Sequence, residues 1–203
     1  MSHHTLHKLG GVILTNPKFA HNVGGALRAC SCFGVPSLWW TGSRVTLDVK
    51  NGERLPREER MRGFRDVEMV RDDRPFDRLP EGATPVGVEV RPNAENLFAF
   101  EHPDNPVFVF GPEDGSLSRT VLGQCHRFVF LPTAHCLNLA TAVTAVLYDW
   151  RLKRWKAGLD PTLTLGDCVN QGDGGFPENE DALVGVSPEG MGRGHTSRTR
   201  TFR

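Results

Sequence analysis

Apolar residues in this chain fall into short continuous runs, separated by stretches with helical spacing. Val12-Ile13-Leu14 lies in a strand predicted over about residues 11–15, and Ser37-Leu38-Trp39-Trp40 reads as a second strand. Further runs at Val67–Val70, Val86–Val90, Val107–Phe110 and Arg127–Leu131 have strand length and are flanked by turn-forming residues. Between them the period changes. Val23, Ala26, Leu27, Cys30 and Phe33 recur at helical spacing; Asn22 is placed to cap that helix and Gly34-Val35-Pro36 to end it. A short turn or helix is expected near Phe76 and a helix from about Ser116 to Gln124. The last helix is the clearest. Leu139, Ala142, Val143, Val146, Leu147 and Trp150 form one stripe, and Arg151, Lys153, Arg154 and Lys156 suit the negative end of its dipole. Alternating strands and helices predict an α/β fold, a single domain with a mostly parallel sheet flanked by helices.

Composition refines this picture. A chain of 203 residues can bury a real core, but its 22 Gly and 14 Pro place part of it in loop or tail. Everything after about residue 157 is rich in Gly, Pro and acid, so residues 1–157 are expected to fold and 158–203 to form a flexible tail. Between Leu159 and Gly190 there are seven acidic residues and no Lys or Arg; Arg193, Arg198, Arg200 and Arg203 follow, so the last part carries 4 − 7 = −3 and balances a +3 body. Six basic and three acidic residues crowd Lys50–Arg65, which suits a polyanionic partner. No apolar run approaches the ~20 residues that cross a bilayer. Met1-Ser2-His3-His4 lacks the apolar core of a signal peptide, so the chain is expected to be soluble and cytoplasmic. Five cysteines without a C-x-x-C pair argue against a disulfide framework and against zinc, and no metal is expected. Cys30 and Cys32 are expected to pack as small apolar residues, and Trp39 and Trp40 to pack at a strand end or a dimer contact.

Three strands empty into loops that can share one sheet edge. The first gives Asn16-Pro17-Lys18-Phe19-Ala20-His21-Asn22-Val23-Gly24-Gly25-Ala26-Leu27-Arg28. The second is Phe110-Gly111-Pro112-Glu113-Asp114-Gly115, and the third Leu131-Pro132-Thr133-Ala134-His135-Cys136-Leu137-Asn138-Leu139. A dinucleotide site of the Rossmann type is excluded, since no G-x-G-x-x-G follows the first strand. In order and spacing, the three loops resemble those of the SpoU (TrmH-like) branch of the SPOUT superfamily, the RNA 2′-O-ribose methyltransferases. That family has an Asn, a small-residue turn and an Arg, here Asn22 to Arg28. It then has Gly-x-Glu-x-x-Gly, here one residue short before Gly115, and Ser-Leu-Asn, here Cys136-Leu137-Asn138.

The resemblance, which covers about residues 10–155, implies a C-terminal trefoil knot, bound S-adenosylmethionine, a homodimer and an RNA substrate. It is closest to the minimal members that act on the tRNA anticodon loop; an rRNA-directed enzyme of the same branch and a non-catalytic RNA-binding protein of the same fold are the alternatives. On that basis Arg28, Asn22, Glu113 and Asn138 are the catalytic candidates. Val88, Glu89, Phe110, Gly111, Gly115, Leu131, Cys136 and Leu139 are expected around the cofactor, with Gly111 and Gly115 allowing close approach or a positive φ. Arg28, Lys18, Arg57 and Arg60 are expected to meet RNA. A guanidinium stays protonated, so Arg28 is expected to place a phosphate and stabilise a developing alkoxide rather than act as a base.

Overall fold

The computed structural model describes residues 10–45 and 67–161. Among them, seven strands form one sheet: β1 (Gly11–Leu14), β2 (Ser37–Trp40), β3 (Glu68–Arg71), β4 (Thr84–Val88), β5 (Glu95–Asn96), β6 (Pro106–Phe110) and β7 (Arg127–Phe130). Their order is β3-β2-β1-β6-β4-β7-β5, and every pairing is parallel. Three helices complete the described part, α1 (Ala20–Phe33), α2 (Arg119–Leu122) and α3 (Leu139–Lys156), with a 3₁₀ turn at Pro75–Arg78.

The continuous apolar runs are explained by burial on both faces of a parallel sheet. On one face Val12, Leu14, Leu38, Trp40, Phe108 and Phe110 pack with Val23, Leu27, Val143, Leu147 and Trp150 from α1 and α3. On the other, Ile13, Trp39, Val107 and Val109 meet Leu117, Cys125 and Phe128, with Phe76, Leu79, Val121 and Leu122 packed around them. Trp39 and Trp40 are therefore core residues, one on each face. α1 lies against α3. At their crossing a Cβ on Gly25 would stand 2.7 Å from the Cβ of Ala140, so the backbone approach demands glycine.

Several expectations need correction. Asn22 does not cap α1: the helix starts at Ala20, Phe19 occupies the cap position without a side-chain bond, and Asn22 is buried inside the first turn. α2 is much shorter than predicted because Glu89 claims the Leu117 N–H at 2.9 Å and Ser118 caps the helix through Val121 N. β4 begins earlier, at Thr84, and tolerates Pro85 because its pairing with β7 starts only at Val86. It ends at Val88, two residues before the predicted Val90. Cys30 is buried as expected, but Cys32 is exposed. Asp160, just past the expected boundary at 157, is buried against Arg151 and Arg154. Among the described residues, no helix is long and apolar enough to cross a membrane.

Candidate functional site

In a parallel sheet, every strand delivers its carboxyl end to the same edge, and ligands gather there. The adjacent strands β1, β6, β4 and β7 do this here. An open cleft of about 770 Å³, counting the space open to solvent, lies at that edge. Val88, Glu89, Phe110, Gly111, Gly115, Leu131, Cys136 and Leu139, the eight residues expected around the cofactor, all line it, as does Glu113. Val90, Pro112, Phe130, Thr133, Leu137 and Ala142 line it too and were missed. Pro112, Thr133 and Leu137 lie inside the quoted loops, so loop membership was the available signal.

Beside the cleft, three loops are joined by two asparagines and a carboxylate. Asn22 Nδ2 donates to Glu113 Oε1 at 2.5 Å, and Asn138 Nδ2 donates to Asn22 Oδ1 at 2.8 Å. Asn138 Oδ1 in turn accepts the N–H groups of Ala140 and Thr141, capping α3. Hydrogen-bond donation thus runs one way, from the positive end of α3 to Glu113. The other Glu113 oxygen accepts the Lys18 N–H at 2.7 Å. Burial pushes the Glu113 carboxyl up, but the bonds from Asn22 and from main-chain N–H groups outweigh it and hold the group below its usual range. Glu113 is therefore an anchored anion, poorly suited to serve as a general base.

Arg28 is placed differently. It is exposed on α1, six residues beyond Asn22, hence about 120° around and roughly 9 Å along the helix. It is not among the residues lining the cleft of its own chain. Lys18 is half exposed, with its ammonium 3.3 Å from Asp114. Arg57 and Arg60 lie outside the described residues.

The residues present fit a nucleoside with a sulfonium-bearing tail. Val88, Leu131, Leu139 and Ala142 offer apolar walls, and the strand ends offer main-chain groups. Neither Gly111 nor Gly115 has a positive φ, and a Cβ at either would meet its own chain no closer than 3.4 Å. Their lack of a side chain therefore opens room in the cleft rather than relieving the backbone. Among the described residues, no group of three or more His, Cys, Asp or Glu could hold a metal.

Comparison with known proteins bears on the same residues. No curated protein matches this chain in sequence. Among solved structures, the A. aeolicus TrmH/SpoU tRNA modifying enzyme superposes with a TM-score of 0.62 at 20% identity, covering 80% of this chain and 84% of that one. A structure concerned with 2-OH methylation of C/U34 on tRNA gives 0.60 at 23% identity, covering 75% and 98%. The SpoU methyltransferase AviRb from Streptomyces viridochromogenes, solved with AdoMet, gives 0.58 at 22% identity, covering 72% and 58%. These likenesses establish the SPOUT fold. The SpoU rRNA Methylase family model matches residues 11–148, from β1 into α3, and so takes in every turn that lines the cleft. The chain accordingly belongs to the SpoU methylase family of RNA methyltransferases, and S-adenosylmethionine is its expected cofactor.

Proposed function

We propose that the protein methylates a ribose 2′-hydroxyl of tRNA in the anticodon-loop region, working as a homodimer with a knotted C-terminal segment. The observation that carries this reading is the joint of Asn22, Glu113 and Asn138 beside a cleft lined by Gly111, Gly115 and Cys136. S-adenosylmethionine supplies an electrophilic methyl group on a sulfonium. The protein's task is then to hold a sugar hydroxyl in line with it, and such positioning is worth several orders of magnitude in rate. Glu113 and the asparagines hold the turns rigid. Arg28 binds a substrate phosphate and stabilises the oxygen as it loses its proton to that phosphate or to water.

A second copy follows from this assignment. Arg28 lies off its own cleft on the exposed side of α1, a helix flanked by Phe19, which is 44% exposed, and packed against α3, whose Tyr148 is 58% exposed. Pairing two such faces buries these rings and gives each cleft an arginine from its neighbour.

The test is incubation with radiolabelled S-adenosylmethionine and, separately, total tRNA and rRNA, followed by mapping of the modified nucleotide. Label is expected at a ribose 2′-oxygen of tRNA, and Arg28→Ala, still folded and still binding cofactor, is expected to lose at least about a hundredfold in rate. Label confined to rRNA moves the substrate within the family. Label on a base, or full activity in the variant, refutes the chemistry proposed for Arg28.

A further inference from the structure

We propose that Arg44 is a positioning residue for the methyl-transfer site, acting through Asp114 on the turn that carries Glu113. This rests on the function proposed above. Arg44 follows β2, whereas Asp114 follows β6, and β1 lies between those strands. The guanidinium spans the gap in a fork: Nη1 donates to Asp114 Oδ1 and Nη2 to Oδ2, each at 2.9 Å. Nη1 also donates to the Asn16 carbonyl at 3.4 Å, on the segment leaving β1.

Neighbouring contacts make this a clamp. Asp114 also meets the Lys18 ammonium, while Glu113, one residue earlier, holds the Lys18 N–H and the Asn22 amide. Two consecutive carboxylates thus grip Lys18 and Asn22, and Arg44, which also meets Asn16, closes the grip from outside. The base of Arg44 is itself fixed. Gly42 has φ 79° and leaves only 2.3 Å between a hypothetical Cβ and Asn16 Oδ1; its N–H donates to Asp73 and its carbonyl accepts from Arg71. On its other side the turn that carries Glu113 and Asp114 lines the cofactor cleft through Gly111, Pro112 and Gly115. The cleft wall and the start of α1, which carries Arg28, are therefore tied together.

The pair is partly exposed, at 30% for Arg44 and 46% for Asp114, and exposed ion pairs add little to folding stability. A forked guanidinium does fix orientation, which a lysine cannot reproduce. The Arg44 bond, despite some opposing desolvation, lowers the Asp114 carboxyl to about 2, so the clamp stays charged at any pH where the protein works. Removing it should loosen the site without unfolding the chain.

The experiment compares Arg44→Ala, Asp114→Ala, the double variant and Arg44→Lys. S-adenosylhomocysteine affinity is measured by calorimetry, tRNA affinity without cofactor across a salt series, and turnover with saturating tRNA. Each alanine variant is expected to bind S-adenosylhomocysteine roughly tenfold more weakly and to turn over about tenfold more slowly. The double variant should lose clearly less than the two single losses combined, since the fork is removed in all three and only the contacts of Asp114 with Lys18 and of Arg44 with Asn16 differ. Arg44→Lys should recover only part, while melting temperature and tRNA affinity stay at wild-type values. Unchanged cofactor affinity, additive losses, or a fall in melting temperature that accounts for the losses would overturn the proposal. So would a loss of tRNA affinity with a shallower salt slope in Arg44→Ala alone, which would make Arg44 a phosphate contact. Cofactor binding is read without turnover, so a wild-type protein that binds S-adenosylhomocysteine but methylates no RNA sinks the proposed function and leaves the clamp to be judged on affinity.

Discussion

Asn22 and His102 show how single side chains are committed in this fold. Asn22 uses its amide nitrogen on Glu113 and its oxygen on Asn138, so its orientation is set by the carboxylate at one end and the α3 N–H groups at the other. An aspartate could not substitute, because it would face Glu113 without a donor. His102 is a buried counterpart away from the cleft, with Nε2 2.7 Å from Asp149 Oδ2 and rings of Phe100 and Phe108 edge-on to it. Burial lowers its pKa, and the Asp149 bond that would raise it does not compensate. The sign follows directly. Below the ordinary value of 6.5 the unfolded chain takes up a proton that the folded chain refuses, so stability is full above that pH and declines as pH falls toward the lowered folded value. Urea unfolding of wild type is expected to show that decline as pH falls below 6.5. His102→Gln, which keeps a donor toward Asp149, should flatten it; an unchanged slope would mean that another group titrates.

Elements set the limits within which those side chains work, and the crossing of α1 and α3 is the tightest of them. Replacing Gly25 with Ala sets two effects against each other. Helix propensity favours alanine by about 1 kcal/mol, whereas overpacking costs about 1–3 kcal/mol. The clash should win, because the atom 2.7 Å away is the Ala140 Cβ, which has no rotamer to escape into. Gly25→Ala is expected to lower stability and weaken cofactor binding, and adding Ala140→Gly should restore both in calorimetry. Most elements were legible in the apolar runs, since buried parallel strands and a long striped helix leave strong patterns. The eight residues expected around the cofactor were legible as strand-end and loop positions of the resembled motifs, and all of them line the cleft. What escaped depends on distant partners. The role of Asn22 needs Glu113 and Asn138; the late start of α2 needs Glu89; β5, at two polar residues, carries no period at all. Arg44 gave no signal because its partner lies 70 residues away.

At the scale of the whole molecule, the chain after α3 is fastened back to that helix by Asp160. Its side chain is fully buried, with Arg151 Nη1 at 2.7 Å and Arg154 Nε at 3.1 Å. Asp160→Ala would leave two mostly buried guanidinium groups without their anion and should cost roughly 3 kcal/mol in denaturant unfolding. A loss below about 0.5 kcal/mol would show that water or another acid replaces it. Distance along the chain has a further consequence. The joint beside the cleft spans 91 residues from Asn22 to Glu113 and 116 from Asn22 to Asn138. Such long-range closure is slow to form and cannot precede synthesis of the third partner. A nascent chain that has released Glu113 but not Asn138 holds a carboxylate awaiting half of its network and a cleft without one wall. Capture of the methyl donor therefore certifies that the chain has been made at least through Ala142 and that the turns around the cleft have found their places.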